Sequence, residues 1–111
     1  MRADRERLED IRAAIAAIET YGPKSLSQLR EDVPAHDVAI RRLQIIGEAV
    51  ARLSLSLKVR YEAVPWNQIV SMRNTTIHAY HSIDLGVVWE VVDVHLPVLK
   101  STVERMLEEM P

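Results

Sequence analysis

The chain contains no cysteine. That absence removes disulfide scaffolds, thiolate metal sites and cysteine nucleophiles together. Glycine is scarce, three residues with no repeated spacing, so neither a P-loop nor a dinucleotide-binding fingerprint can be assembled. No apolar run approaches the roughly 20 residues of a membrane span, and the Arg- and Asp-rich start lacks the apolar segment of a secretory signal, so the expected location is cytoplasmic. Internal repeats, low-complexity tracts and linkers are also missing.

What is present suits one folded domain. The 111 residues are 48% apolar, enough for a real core and too few for two, so residues 1–111 are expected to form a single unit. The net charge of −2 conceals an asymmetry: residues 1–40 carry six basic and eight acidic groups, residues 41–81 six and two, and residues 82–111 two and six. The middle segment is compatible with a local phosphate-binding cleft, and equally with unevenly charged solvated helices.

Hydrophobic periodicity predicts an all-α fold, an up-and-down bundle of four to five helices. A first helix is expected over 4–20, with Leu8, Ile11, Ile15 and Ile18 in one stripe. Tyr21-Gly22-Pro23 should end it, Gly22 supplying a left-handed cap. Ser25-x-x-Gln28 has the form of a capping box and opens a short helix that stops before Pro34. A second long helix, over 35–53, is apolar on more than one face: Ala39, Leu43, Ile46, Val50 and Leu53 on one, with Val38, Ile45 and Ala49 beside it. It should bury two surfaces, a monomer core and a dimer contact, with Arg41, Gln44 and Glu48 as the polar edge. Residues 55–63 read as a connector with about one helical turn.

Val64-Pro65-Trp66 starts a third helix, Pro65 taking its first position and Trp66 acting as a core anchor rather than a base-stacking platform. Ser82 or Asp84 can cap a further helix through 94, with Val87, Val88, Val91 and Val92 as its apolar surface. Pro97 should break or kink the chain before a last helix that turns Val103, Met106 and Leu107 inward. His36 and His95 stand outside any constellation and read as surface or helix-terminal residues, and Tyr21 and Tyr61 have no sequence neighbours that suggest chemistry.

Chemistry concentrates in residues 71–80, Ser-Met-Arg-Asn-Thr-Thr-Ile-His-Ala-Tyr. Arginine is a permanent cation whose planar fork matches phosphate oxygens, and histidine can take and give a proton near neutral pH. On a regular helix Trp66, Ile69, Val70, Arg73, Ile77 and Tyr80 share a face, which places Arg73 among apolar neighbours where its charge needs an anion. Glu48 can supply that anion, or it can be an exposed residue on a solvated face. Asn74 and His78 lie one turn apart, so the amide can orient the imidazole or share its ligand. Arg73 and His78 fall about 140° apart on an ideal helix. They converge only if the helix frays near His78 or if the same segment of a second chain completes the site across a two-fold axis.

An Arg-x4-His pair alone is unspecific, since this composition yields about 0.4 by chance. Adding Asn after the Arg and Tyr two after the His lowers the expectation to roughly a few in ten thousand. With those four residues in place, Met72-Arg73-Asn74-x-x-Ile77-His78-x-Tyr80 resembles the Arg-x4-His-x-Tyr signature of the HepT-like toxins of the HEPN superfamily. The resemblance extends to Ala39-Ile40-Arg41-Arg42-Leu43-x-Ile45-Ile46-Gly47-Glu48-Ala49, to Pro65-Trp66, and to Asp84-Leu85-x-x-Val88-Trp89 with Leu96-Pro97. It covers roughly residues 4–108. Ala79, where the family usually has Gly, and His81, where an aromatic is frequent, depart from the pattern.

The resemblance implies a small helical domain that dimerises across the motif helices and acts as a metal-independent endoribonuclease, with no cofactor. Arg73 would hold the scissile phosphate and His78 would shuttle the proton as the ribose 2′-hydroxyl attacks, with Asn74 and Glu48 in support. Tyr80 would be the site at which a nucleotidyltransferase antitoxin, using ATP and Mg²⁺, attaches AMP and silences the toxin. The alternatives are a catalytically silent RNA- or nucleotide-binding helical dimer and a helical protein whose only task is assembly. The spacing His78-x2-His81-x2-Asp84 would suit a structural metal but places no fourth ligand, so no metal is expected.

Overall fold

The computed structural model describes residues 2–74 and 84–110, and among them there is no strand. The helices are α1 (Arg2–Tyr21), α2 (Leu26–Glu31), α3 (Val33–Arg52), α4 (Leu55–Val59), α5 (Trp66–Ser71), α6 (Leu85–Glu90) and α7 (Leu96–Glu109). A 3₁₀ turn, Met72–Asn74, extends α5, and a π-turn, Val91–His95, joins α6 to α7. Four main helical runs result: α1, α3, α5 with its turn, and the composite of α6 and α7. The expected all-α bundle is the fold, with α2 and α4 as short connecting helices.

The core forms where the apolar stripes meet. Leu8, Ile11, Ile15 and Ile18 of α1 are all buried, as are Ala39, Leu43, Ile46 and Val50 of α3 and Leu99, Val103 and Met106 of α7. Helix α1 packs on both α3 and α7, and the other face of α3 receives α5 and its 3₁₀ turn. Within the one chain α3 therefore packs against α1 and against the motif segment, where the expected partner of its second surface was another copy of the chain.

Local signals account for most of the helix ends, with corrections. No glycine adopts a positive φ, so Gly22 is not a left-handed cap. Its N–H donates to the Ile18 carbonyl at 2.8 Å, and a Cβ there would stand only 2.6 Å from the same oxygen. Close approach, not backbone handedness, is what excludes a side chain. Ser25 caps α2 by accepting from the Gln28 N–H at 3.0 Å, but the Gln28 side chain accepts from Lys24 N–H at 2.6 Å instead of closing the box on Ser25. Helix α3 begins before the expected position 35: Asp32 caps it, accepting from Ala35 N–H at 3.1 Å, and Pro34 fits within the first turn, whose N–H groups have no helical partners anyway. His36, in that turn, is helix-terminal but buried, its Nδ1 3.0 Å from the Leu29 carbonyl oxygen.

Pro65 likewise sits one place earlier than predicted, as the residue before α5. Trp66 is half-buried against the core, and its indole N–H donates to the carbonyls of Lys58 and Tyr61 at 3.0 and 3.1 Å, which fits the anchor reading. Asp84, rather than Ser82, which lies outside the described residues, caps α6 by accepting from Gly86 and Val87 N–H groups at 2.9 and 3.3 Å. Pro97 does not break the helical path. It stands in the first turn of α7, and the π-turn before it relieves the carbonyl that its ring would meet in a regular α-helix.

Two long-range contacts tie the ends of the chain to the α4 region. Asp4, 6% exposed, accepts from both the N–H and the hydroxyl of Ser54 at 3.0 and 2.8 Å. The Tyr61 hydroxyl donates to the Glu109 carboxylate, and the guanidinium groups of Arg60 and Arg105 lie 5.8 and 5.4 Å from its ring. That bond pushes the phenol ionisation above its usual range, with burial and the Glu109 charge adding to it.

Candidate functional site

Helix α5 brings the motif to α3 and then tightens. At three residues per turn a 3₁₀ segment advances about 120° per residue, and this changes which side chain faces inward. Met72 is buried, while Arg73 and Asn74 are exposed. The expectation that Arg73 sits in an apolar stripe is therefore corrected: Met72 occupies the inward place, and Arg73 borders a cleft of about 640 Å³.

Among the described residues, three elements line that cleft. Helix α1 contributes Glu6, Arg7 and Asp10, α3 contributes Gln44, Glu48 and Arg52, and the 3₁₀ turn contributes Arg73. The described lining thus includes three arginines and three acidic residues. The described lining is therefore of mixed charge, because α1 brings Glu6 and Asp10, together with Arg7, to the arginines of residues 41–81.

Glu48 lines this cleft but binds along its own helix, its Oε1 accepting from Arg52 Nε at 2.9 Å. Among the described residues no ion pair joins it to Arg73. The exposed pair with Arg52 corresponds to the solvated-face reading of Glu48. Among the described residues Arg73 makes no ion pair, and its side chain is exposed. His78 and Tyr80, together with Ala79 and His81, lie outside the described residues.

Two contributors to the site were not assigned a role from sequence. Arg52 sits one turn beyond Glu48 and shares the cleft with Arg73. Gly47 faces the motif turn so closely that a Cβ on it would lie 2.7 Å from the Arg73 backbone nitrogen. The available signal for Gly47 was a glycine within a helical pattern, which costs about 1 kcal/mol relative to alanine and so implies a packing reason. Tyr61 was also passed over, because its partner Glu109 lies 48 positions along the chain.

The fold and site define an all-α domain that presents an exposed arginine, on a turn held against a long central helix, to a charged cleft. The ribonuclease HepT-like family profile matches residues 11–106, and the chain belongs to that family. It is 33% identical over 106 residues to the "Probable ribonuclease HepT" of Thermococcus cleftensis, covering 95% of this chain and 96% of that one. It is 39% identical over 74 residues to the "Gamma-glutamylcyclotransferase and putative RNase MJ0434" of Methanocaldococcus jannaschii. That match takes in 67% of this chain and 33% of the relative, so the matched stretch spans about a third of the longer protein. No solved structure matches the chain. Among the described residues no helix is long and apolar enough to cross a membrane.

Proposed function

We propose that the chain is an endoribonuclease that cleaves RNA without a metal and forms the toxin half of a toxin–antitoxin pair. The observation that carries the reading is the exposed Arg73 on the cleft, within a chain of the ribonuclease HepT-like family. Arg73 binds the scissile phosphate and offsets the charge that builds on its oxygens. His78 removes the proton of the neighbouring ribose 2′-hydroxyl, whose oxygen then bonds to phosphorus as the bond to the 5′-oxygen breaks. The proton passes to the departing 5′-oxygen, so the nucleophile and both proton positions come from the RNA and the imidazole. Asn74 orients the imidazole or contacts the same phosphate.

In this reading the working unit is a homodimer with two motif segments facing each other across a two-fold axis, so that Arg73 and His78 need not converge within one chain. Its partner is a nucleotidyltransferase antitoxin that uses ATP and Mg²⁺ to place AMP on Tyr80. A bulky anion beside Arg73 would occupy the space meant for substrate phosphate.

The test is cleavage of labelled RNA by purified protein in the presence of a chelator. Wild-type protein should cut, whereas Arg73→Ala and His78→Ala should lose at least 10²-fold, the loss typical of removing one charge-stabilising donor. Arg73→Ala should remain folded because its side chain is exposed. RNA binding without cleavage by the wild type, abolished in Arg73→Ala, would establish the silent binding module instead. AMP transfer onto Tyr80→Phe would remove Tyr80 from its role.

A further inference from the structure

Gly47 lies within α3 and away from its ends. Intrinsic preference disfavours it there by about 1 kcal/mol relative to alanine. The compensating feature is across the helix interface. A Cβ at this position would stand 2.7 Å from the Arg73 backbone nitrogen, 3.0 Å from the Ile69 carbonyl oxygen and 3.1 Å from the Arg73 Cβ. The two nearest atoms belong to the main chain of α5 and its 3₁₀ turn, so no side-chain rotation can relieve the clash. A methyl group would force the turn and α3 apart by something on the order of half an ångström, in an interior packed as densely as an organic crystal.

We propose that Gly47 is a positioning residue for Arg73. By admitting the motif turn to direct main-chain contact with α3, it fixes how far the guanidinium reaches into the cleft that Glu48 and Arg52 line from the same helix. One rigid element then sets both the wall of the cleft and the depth of the phosphate-binding group. The inference rests on the reading of Arg73 as that group. Its force comes from the sensitivity of the chemistry to geometry, since a displacement of about 1 Å can cost roughly 10²-fold in rate.

The experiment compares wild type, Gly47→Ala, Arg73→Ala and the double variant by thermal melting, by backbone amide resonances, and by cleavage of a labelled single-stranded RNA. Gly47→Ala should stay folded, shift the amide resonances of residues 69–74 while those of α1 and α7 hold, and cut RNA ten- to a hundredfold more slowly. In the Arg73→Ala background the same substitution should cost nothing further, which a general packing defect would not reproduce. Wild-type cleavage by Gly47→Ala, unmoved resonances at 69–74, or a tenfold further loss in the double variant each overturns the positioning role. Failure of Gly47→Ala to fold also overturns it, in favour of a packing role. If the wild type itself cuts no RNA, the ribonuclease reading fails on its own account, and the resonances alone then decide whether Gly47 places Arg73.

Discussion

Glu48 grips Arg52 one turn along α3, Oε1 to Nε at 2.9 Å, while Arg73 on the facing turn shares their cleft. The pair is half-exposed on both sides, so it adds little stability and is open to competition from another anion. Arg52 is therefore a second cation within reach of the space proposed for RNA.

Removing the carboxylate tests this. Glu48→Gln should change unfolding free energy by less than about 0.5 kcal/mol and strengthen RNA binding. Arg52→Ala should weaken binding and flatten the dependence of log K on log salt by roughly 0.7, the slope lost with one single-strand phosphate contact. An unchanged slope in Arg52→Ala would mean that Arg52 meets no phosphate.

The contact between Asp4 and Ser54 predicts a structural effect away from the cleft. Asp4→Ala leaves the Ser54 N–H and hydroxyl without the acceptor they share, at a cost of about 1–3 kcal/mol. Urea unfolding should show a lower midpoint with an unchanged m-value. A loss under about 0.5 kcal/mol would mean that the start of α1 frays without consequence for the rest.

Asp32 gives the fold an acid sensitivity. The Ala35 N–H, followed by the Gln28 amide, holds its carboxyl below the usual range. Because the folded state lowers this group's pKa, the cap contributes fully above the unfolded value near 4 and is lost as pH falls through the folded value. Asp32→Asn retains a capping side chain but cannot titrate. Melting temperature measured from pH 6 to pH 2 should therefore fall less steeply in the variant, and parallel curves would refute the assignment.

Tyr61 works in the opposite direction. Its folded pKa is raised, above all by the bond to Glu109, so its contribution is complete below the unfolded value near 10 and disappears as pH rises through the folded value. Tyr61→Phe should cost about 1.5 kcal/mol near neutral pH, the scale of a hydrogen bond to a charged acceptor. The wild type should lose that advantage over the variant in strong alkali.

Wherever the backbone stays regular, apolar spacing and capping residues locate the elements: the stripe Leu8 to Ile18, the α3 face through Leu43 and Ile46, and the caps Ser25 and Asp84. Prediction slips where helical pitch changes. A constant 100° per residue places Arg73 nearer the centre of the inward face and Met72 at its edge, and the 3₁₀ turn favours Met72 over Arg73. The bond between Glu48 and Arg52 follows from their i,i+4 spacing alone. Gly47 against Arg73, and the α1 acids opposite that arginine, are tertiary juxtapositions that no local pattern encodes. The fold was thus more legible than the cleft, which depends on the meeting of α1, α3 and the motif turn.

The π-turn also has a consequence for comparing this chain with others. Buried positions run Val88, Val91, Leu96, Leu99 and Val103, while Val94, where a regular helix would return to the core, is 51% exposed. The interval from Val91 to Leu96 is five residues, the length of a π-turn repeat, so α6 and α7 read in reading frames offset by one. A π-turn amounts to one residue accommodated within a continuous helix. Deleting a residue between 92 and 95 would bring the two frames into register but set the Pro97 ring against the carbonyl of a regular turn, so the helix would kink there, and a relative lacking a residue at this point would keep the same core only with another residue in place of that proline. A one-residue gap in an alignment at this point would then record a change of helical pitch rather than the loss of a loop.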